Sequence, residues 1–307
     1  MTAVSQEGKR RIRMPWHNPV TVKELRGRMR GRRAFIILTL YLLVLSGLIW
    51  IIYIAYASAA SQPFGPNARQ AGKVVLGAVV FVQIFLVTLV GPAFTAASIS
   101  GERERQTYDL LRTTLLSAHA LVSGKLFSAL SYVFLLIVAA VPVLSIALML
   151  GGVSLIELGV SQLLIVVSAV TYALIGVFFS AFMRSTIAAS VTTFAVAIAL
   201  SLAAPLMASF GFTLFGAALF STGATPWPLT GILIVLGLLL AMTNLPATII
   251  LSEVILLQEG AVFSYPQTVA GHTLLILSPW LGYVVFYSLL ALLLYVLYVH
   301  QVRRVSK

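Results

Sequence analysis

Residues 101–125 read GERERQTYDLLRTTLLSAHALVSGK and separate two long apolar runs, 74–97 and 126–150. The whole chain is 60% hydrophobic and only 9% charged, whereas an average soluble protein is about 25% charged. A soluble fold of 307 residues could not bury so much apolar surface. The sequence therefore predicts an integral membrane protein, and this charged insert is the part that a soluble partner can reach.

The apolar runs are continuous and rich in Leu, Ala, Val and Ile. A membrane β-barrel would instead show segments of about ten residues with alternating hydrophobicity. Because lipid offers the backbone no hydrogen-bond partners, continuous apolar runs indicate helices. We predict an all-α polytopic membrane protein in which a transmembrane domain, 34–300, follows a basic N-terminal segment, 1–33, and precedes a short tail, 301–307. Its six spans lie at about 34–60, 74–97, 126–150, 160–183, 187–207 and 280–298.

The basic residues predict the orientation of these spans. Ten Lys and Arg residues precede the first span, four lie in the insert, Arg184 follows the fourth span and three lie in the tail. With both termini in the cytoplasm, eighteen of the twenty basic residues are cytoplasmic, and only Arg69 and Lys73 are outside. This arrangement requires an even number of spans, which six satisfies. The net charge of +12 is thus explained by membrane topology and anionic lipid, and we expect no nucleic-acid binding.

Two connecting segments are less regular than the spans. Residues 154–159, SLIELG, are predicted to form a tight turn between spans three and four. Residues 208–279 contain another apolar run, 229–251, which Asn244-Leu245-Pro246 interrupts. Its uninterrupted part, 229–243, would be only about 22 Å long, too short to cross a membrane upright. We therefore predict a re-entrant outer hairpin before the last span, while two crossings, giving eight spans, remain the alternative.

The chain offers little for catalysis or ion coupling. It has no cysteine, and its four histidines are dispersed, so neither a thiolate site nor a clustered metal site is expected. None of its eight acidic residues sits convincingly within a span, which argues against secondary transport. No GxxxxGK[ST] motif is present. We predict that the chain is not an enzyme by itself and holds no cofactor.

The charged insert is a candidate contact for a soluble protein. Thr107 is a plausible N-cap, and a helix beginning at Tyr108 would place Tyr108, Leu111 and Leu115 on one side. A short amphipathic helix held between two spans would transmit an applied load to both of them. The alternative is a loop that lies on lipid headgroups, and physical reasoning alone leaves both interpretations open. The basic segment before span one has similar alternatives: lipid binding, partner contact or topological anchoring.

Two segments resemble one family. Residues 18–33, NPVTVKELRGRMRGRR, resemble the entry helix of ABC-2 type transporter permeases, and residues 101–126 resemble the cytoplasmic loop between their second and third spans. That loop commonly has a charged run, Thr, an acidic-Leu-Leu core, Thr-Thr-Pro-Leu-Ser and a later Gly-Lys. Gln106 and Leu115 depart from it, standing where glycine and proline are frequent. The matching residues are Glu102, Glu104, Thr107, Asp109, Leu110, Leu111, Thr113, Thr114, Ser117, Gly124 and Lys125.

The resemblance implies an ABC-2, type V exporter-like architecture and a function. Two permease chains, identical or related, would pair in the cell membrane of a prokaryote, each on a cytoplasmic ATPase subunit that binds ATP and Mg. The insert, 99–125, would be a coupling helix seated on that ATPase, and the transporter would export a substrate that the sequence does not identify. The implied ATPase contacts are Glu102, Arg103, Glu104, Arg105, Thr107, Tyr108, Asp109, Leu111 and Arg112, with secondary ATPase or lipid contacts at Lys23, Arg26, Arg30 and Arg33. The alternative functions are an ion-coupled secondary transporter and a membrane scaffold without an ATPase.

Overall fold

The computed structural model describes residues 32–59, 68–106, 118–203, 227–259, 261–269 and 272–305. In these ranges the chain forms helices and one antiparallel two-stranded sheet, in which Ser264 pairs with Leu277 and Val269 with His272. The elements in chain order are α1 Arg32–Ala59, α2 Ala68–Thr95, α3 Ser100–Glu104, α4 Ala118–Ala139, α5 Val141–Leu150, α6 Leu155–Phe182, α7 Thr186–Ile198, a π-helical segment Ala199–Ala203, α8 Trp227–Ala241, α9 Leu245–Glu259, β1 Ser264–Val269, β2 His272–Leu277 and α10 Pro279–Val305.

Five stretches of the described chain are long and apolar enough to cross a membrane: Ala34–Ser58, Gln70–Glu104, Ser123–Leu150, Leu155–Phe182 and Pro279–Gln301. The prediction of a multi-pass helical membrane protein is confirmed at this level. The third stretch is interrupted at Ala140, where α4 has ended at Ala139 and α5 begins at Val141 with Pro142 in its first turn. The predicted span at 187–207 coincides with a shorter apolar helix, Thr186–Leu202, and 204–207 lie outside the described residues.

The turn predicted at residues 154–159 is wrong, because these residues begin α6. Ser154 Oγ accepts a hydrogen bond from the Glu157 backbone N–H at 3.1 Å, and the Glu157 carboxylate accepts one from the Ser154 backbone N–H at 3.1 Å. This reciprocal pair is a capping box, whose Ser-x-x-Glu signature is present in the sequence. Glu157 therefore lies in the first turn of a 28-residue helix.

The interrupted apolar run near residue 244 forms two short helices, α8 and α9, of 15 residues each. Asn244 caps α9, since its Oδ1 accepts a hydrogen bond from the Ala247 backbone N–H at 3.0 Å. The break thus falls at the predicted interruption. The β1–β2 hairpin that follows was not predicted from the sequence. Residues 208–226, which the prediction included in the same outer segment, lie outside the described residues.

The core is built around α6, in which 67% of the most apolar 18-residue segment is buried. It packs most extensively against α2 and α10. Val87, Leu136, Ile165 and Tyr283 are completely buried in this core and come from four different helices. By contrast, only 11% of the corresponding 18-residue segment of α1 is buried. The helices α2, α6 and α10 therefore form the central framework of the described fold.

A close backbone approach fixes the beginning of α2 against the end of α5. An added Cβ on Gly72 would lie 2.1 Å from the carbonyl oxygen of Gly151 and 2.8 Å from that of Ala147. Gly151 and Gly152 have φ angles of 82° and 80°, in a region that favours glycine. Glycine is therefore required on both sides of this contact: at position 72 because a side chain would not fit, and at positions 151 and 152 because of the backbone conformation.

A cluster of polar side chains holds the broken helices within the apolar interior. Asn244 Nδ2 donates to the backbone carbonyls of Leu200 and Ser201 at 3.1 and 2.9 Å, in the π-helical segment. The Ser201 hydroxyl is 2.7 Å from the Tyr172 hydroxyl, and the Tyr287 hydroxyl donates to the Thr243 carbonyl at 2.7 Å. Irregular backbone is tolerated at membrane depth only where protein groups satisfy it. These hydrogen bonds give the carbonyl groups of the irregular backbone their partners.

Candidate functional site

Beyond Thr95, α2 continues through a turn into α3, at the end of α2 that is remote from Gly72. The residues from Ile99 to Glu104 carry the first charges of the insert and are held by side chains from three other helices. We call residues 99–104, together with Lys125, Ser180 and Thr186, the charged joint.

Ser180 connects the charged joint to α6. Its completely buried hydroxyl oxygen accepts hydrogen bonds from the backbone N–H groups of Ile99 and Ser100, at 2.8 and 3.1 Å. Backbone N–H groups where a helix begins have no partner within the helix, so this side chain satisfies donors that would otherwise be buried without one. The Ile99 side chain is also fully buried, in an apolar cluster with Val177 and Tyr298. The joint thereby contacts α10 as well as α6.

Lys125 connects the charged joint to α4. Its Nζ lies 2.7 Å from Glu102 Oε1, and its side chain is 1% exposed, whereas that of Glu102 is 26% exposed. The same ammonium group donates to the backbone carbonyl of Ser98. A buried charge is tolerated only when it is paired and hydrogen-bonded, and removal of one partner is costly. This ion pair therefore holds the end of α2 against the beginning of α4.

Glu104 connects the charged joint to α7. Its two carboxylate oxygens accept hydrogen bonds from the Thr186 backbone N–H at 2.7 Å and from the Thr186 hydroxyl at 2.6 Å. Thr186 is the first residue of α7, directly after the N-cap Ser185. A carboxylate at this position is favoured because the N-terminus of a helix carries a partial positive charge and free N–H donors. The joint thus contacts α7 in addition to α4, α6 and α10, and the carboxylate that makes this contact is exposed.

A tight helix crossing lies directly beside the charged joint. A Cβ on Gly176 of α6 would lie 2.0 Å from Thr95 Oγ1 and 3.2 Å from the backbone nitrogen of Ala96. The Thr95 hydroxyl itself donates to the Gly91 carbonyl at 3.0 Å. The end of α2 therefore lies in direct backbone contact with α6, and the two helices cannot separate here without losing this packing.

Gln106 ends the charged run with a left-handed backbone. Its φ is 56°, the one positive φ of a non-glycine residue in the described ranges. The left-handed conformation costs a non-glycine residue roughly 1–2 kcal/mol. Glycine avoids this cost, but part of the gain is offset because glycine makes the unfolded chain more flexible. We expect Gln106→Gly to raise the free energy of unfolding by about 0.5–1 kcal/mol, measured by denaturant unfolding in detergent. Gln106→Ala serves as the control and should give no gain, because alanine keeps the unfavourable Cβ; a gain as large for alanine would contradict this account.

The structure gives the predicted contact residues different surroundings. Glu102 and Glu104 are both engaged by residues of this same chain, whereas Arg105 is exposed and Arg103 half-buried. Arg184, two residues before Thr186, is also exposed. Arg33 lies in the first turn of α1. The other predicted contacts, Thr107, Tyr108, Asp109, Leu111, Arg112, Lys23, Arg26 and Arg30, lie outside the described residues.

The sequence prediction assigned no contact role to Lys125, Ser180 or Thr186, which complete the charged joint. Lys125 had a visible signal, as a lysine at the membrane end of an apolar run. Ser180 and Thr186 had none, because small hydroxyl residues occur throughout these helices. Across the described part of the chain, no three His, Cys, Asp or Glu residues are grouped so that they could hold a metal ion.

Comparison with protein-family models finds no model that matches this chain, and comparison with curated proteins finds no matching sequence.

Proposed function

We propose that this chain is the membrane subunit of an ATP-binding cassette exporter, driven by a separate cytoplasmic ATPase subunit through the charged joint. One observation carries the proposal: the polar end of α2 is bonded to α4, α6 and α7 at a single place. In this proposal both termini and the joint face the cytoplasm of a prokaryotic cell. The insert from Thr107 to Arg112 is the segment that the ATPase contacts, and ATP and Mg²⁺ are bound by the ATPase.

Mechanical coupling follows from the bonds of the joint. A displacement of residues 99–104 pulls α4 through the Glu102–Lys125 pair and α7 through the Glu104–Thr186 bonds. Ser180 transfers the same displacement to α6, the most buried helix, and hence to α10. Packed interiors respond to such a load by moving between discrete arrangements, since they deform little. The load therefore reaches the whole helical framework.

The proposal includes two further elements of the assembly. A second permease chain, identical or related, pairs with this one in the membrane; the largely exposed apolar surface of α1 provides area for such a contact or for lipid. The helices α8 and α9 form the re-entrant outer hairpin. The short length of each helix and the capped break at Asn244 support that arrangement.

The proposed function is tested by separating ATPase binding from coupling. The double variant Arg105→Glu/Arg184→Glu reverses two exposed charges beside the joint and should reduce co-purification of the ATPase at least tenfold. Glu104→Ala removes the internal bonds to Thr186, and should leave the ATPase bound while lowering ATP-dependent transport about tenfold, because the load no longer reaches α7. Affinity purification of the tagged chain from its native membranes, with mass spectrometry of bound proteins, measures the first effect. Reconstitution in vesicles measures the second.

Arg69→Glu is the matched control, because it reverses a charge in the first turn of α2, far from the joint. It should leave the amount of bound ATPase unchanged. Two results would overturn the proposal: the absence of any ATP-binding protein in the purified complex, or solute movement driven by a sodium or proton gradient with the chain alone and no nucleotide.

A further inference from the structure

A partly enclosed cleft lies between α2, α6, α9 and the loop that leads into α10. It begins near Gly77 of α2, which is about 27 Å along the helix from Thr95, where α2 ends beside the charged joint. The cleft and the charged joint thus lie at opposite ends of the same two helices, separated by roughly the thickness of a membrane core. Its walls are mainly apolar, and include Leu76, Leu164, Ile249 and Trp280.

The cleft is preformed by bonds on its outer side. Trp280 Nε1 donates to the Val262 carbonyl at 2.7 Å, and the Ser278 backbone N–H donates to the Phe263 carbonyl at 2.8 Å. The Phe263 and Trp280 rings also lie 5.8 Å apart, centre to centre. These contacts fix the loop between α9 and α10 as one wall. A ligand would therefore meet an existing surface and would not have to order it.

Two acidic side chains line the cleft, and one lysine acts on them electrostatically from outside the lining. Glu157, at the beginning of α6, and Glu253, on α9, both line it. Lys73 of α2 is not part of the lining; its buried Nζ has no hydrogen-bond partner among the described residues, and its charge acts on Glu253 together with the like charge of Glu157. The three groups have a net charge of −1. The lining of the cleft thus contains two acidic side chains and no basic one in a mainly apolar setting, where an added positive charge is attracted strongly.

Ser252 supplies a polar group without a partner. It is 9% exposed and lines the cleft, and its hydroxyl has no hydrogen-bond partner within the described structure. Other buried hydroxyls on these helices donate to the carbonyl four residues earlier: Ser168 at 2.6 Å, Thr171 at 2.9 Å and Thr193 at 2.6 Å. Buried polar groups nearly always have a partner. The Ser252 hydroxyl is therefore available to a molecule in the cleft.

We propose that this cleft binds an amphiphilic organic cation, whose apolar body lies against the Leu76, Ile249 and Trp280 walls and whose protonated amine lies between Glu157 and Glu253. The amine donates a further hydrogen bond to the Ser252 hydroxyl. An anion is disfavoured by the net negative charge, and a purely apolar molecule leaves Ser252 unpaired. This site goes beyond the proposed transport function, because its occupancy requires neither an ATPase nor nucleotide.

The test is equilibrium dialysis of the purified full chain in lipid nanodiscs, with binding to protein-free nanodiscs subtracted. Three probes share one apolar body and differ in their polar end: 4-phenylbutylamine, which is protonated at neutral pH, 4-phenylbutanol and 4-phenylbutanoate. The ammonium probe should bind at least tenfold more tightly than the alcohol, since hydrogen bonds to charged groups are the stronger ones. The carboxylate should bind more weakly than the alcohol. Equal binding of the ammonium and alcohol probes overturns the proposal.

Variants then locate the site. Glu157→Gln/Glu253→Gln should weaken binding of the ammonium probe at least tenfold and leave the alcohol unchanged, and Ser252→Ala should weaken it about threefold. Glu7→Gln removes the same formal charge in the N-terminal segment and should have no effect. Unfolding midpoints confirm that each variant is folded. Because the change at Glu157 also alters the capping box of α6, the single variant Glu253→Gln is measured too and should weaken binding about fivefold. Unchanged affinity in the folded Glu253→Gln variant contradicts the site.

Discussion

Replacing Glu102 by Leu should destabilise the protein by about 3 kcal/mol, because the Lys125 ammonium would then be buried without its carboxylate partner. Lys125 is 1% exposed and lies in the third turn of α4. The Ser98 carbonyl still accepts a hydrogen bond from it, so the loss should fall at the lower end of the range for broken buried pairs. Denaturant unfolding, followed by circular dichroism in detergent, measures the change in the free energy of unfolding.

The double variant Glu102→Leu/Lys125→Met is the decisive comparison. It removes both charges and replaces them with apolar groups, which is often neutral for a buried pair. We expect it to recover most of the stability lost in Glu102→Leu, which makes the two substitutions strongly non-additive. If the double variant is no more stable than Glu102→Leu, the pair does not hold α2 and α4 together.

Gly72→Ala should have an effect of similar size for a purely steric reason. Its added methyl group would lie 2.1 Å from the Gly151 carbonyl oxygen, and both nearest atoms belong to the backbone. Backbone atoms held in two helices cannot yield as a flexible side chain does, so the beginning of α2 must move away from the end of α5. We expect a loss of about 3 kcal/mol or more in the free energy of unfolding, at the upper end of the usual cost of overpacking.

Gly77→Ala is the matched control for this steric argument. It lies on the same helix, five residues further along, and an added Cβ there meets no atom within 4 Å. Because alanine is the better helix former, Gly77→Ala should be neutral or stabilise by up to about 1 kcal/mol. A melting temperature for Gly72→Ala that equals that of Gly77→Ala would show that α2 and α5 are not in contact.

The sequence predicted the helical membrane architecture because long apolar runs leave the backbone no other means of hydrogen bonding in lipid. It also located the break in the run at 229–251, since Asn244 and Pro246 stand in an otherwise uniform segment. The beginning of α6 was missed although Ser154 and Glu157 carry a capping signature. The cause was the placement of a polar Glu157 in a turn on composition alone.

The candidate site was predicted as a location but not as a set of contacts. A charged insert between apolar runs marks where polar groups leave the membrane, so the sequence places Glu102 and Glu104 at a membrane surface. Their partners, Lys125 and Thr186, are 23 and 82 residues away. No local periodicity relates residues at such separations, and the sequence alone therefore suggested an external partner for both acids.

By itself, the sequence determined that the backbone must be helical, where most apolar helices lie and where the chain becomes polar, because these properties follow from hydrophobicity over short windows. Only the tertiary structure decided that Glu102 and Glu104 bond within the chain, that Gly72 and Gly176 lie at backbone contacts, and that Glu157, Ser252 and Glu253 line one cleft. Each of these depends on which helices are neighbours. In lipid, that choice is made by close packing and interhelical hydrogen bonds between particular side chains, since every apolar helix surface is equally compatible with the solvent.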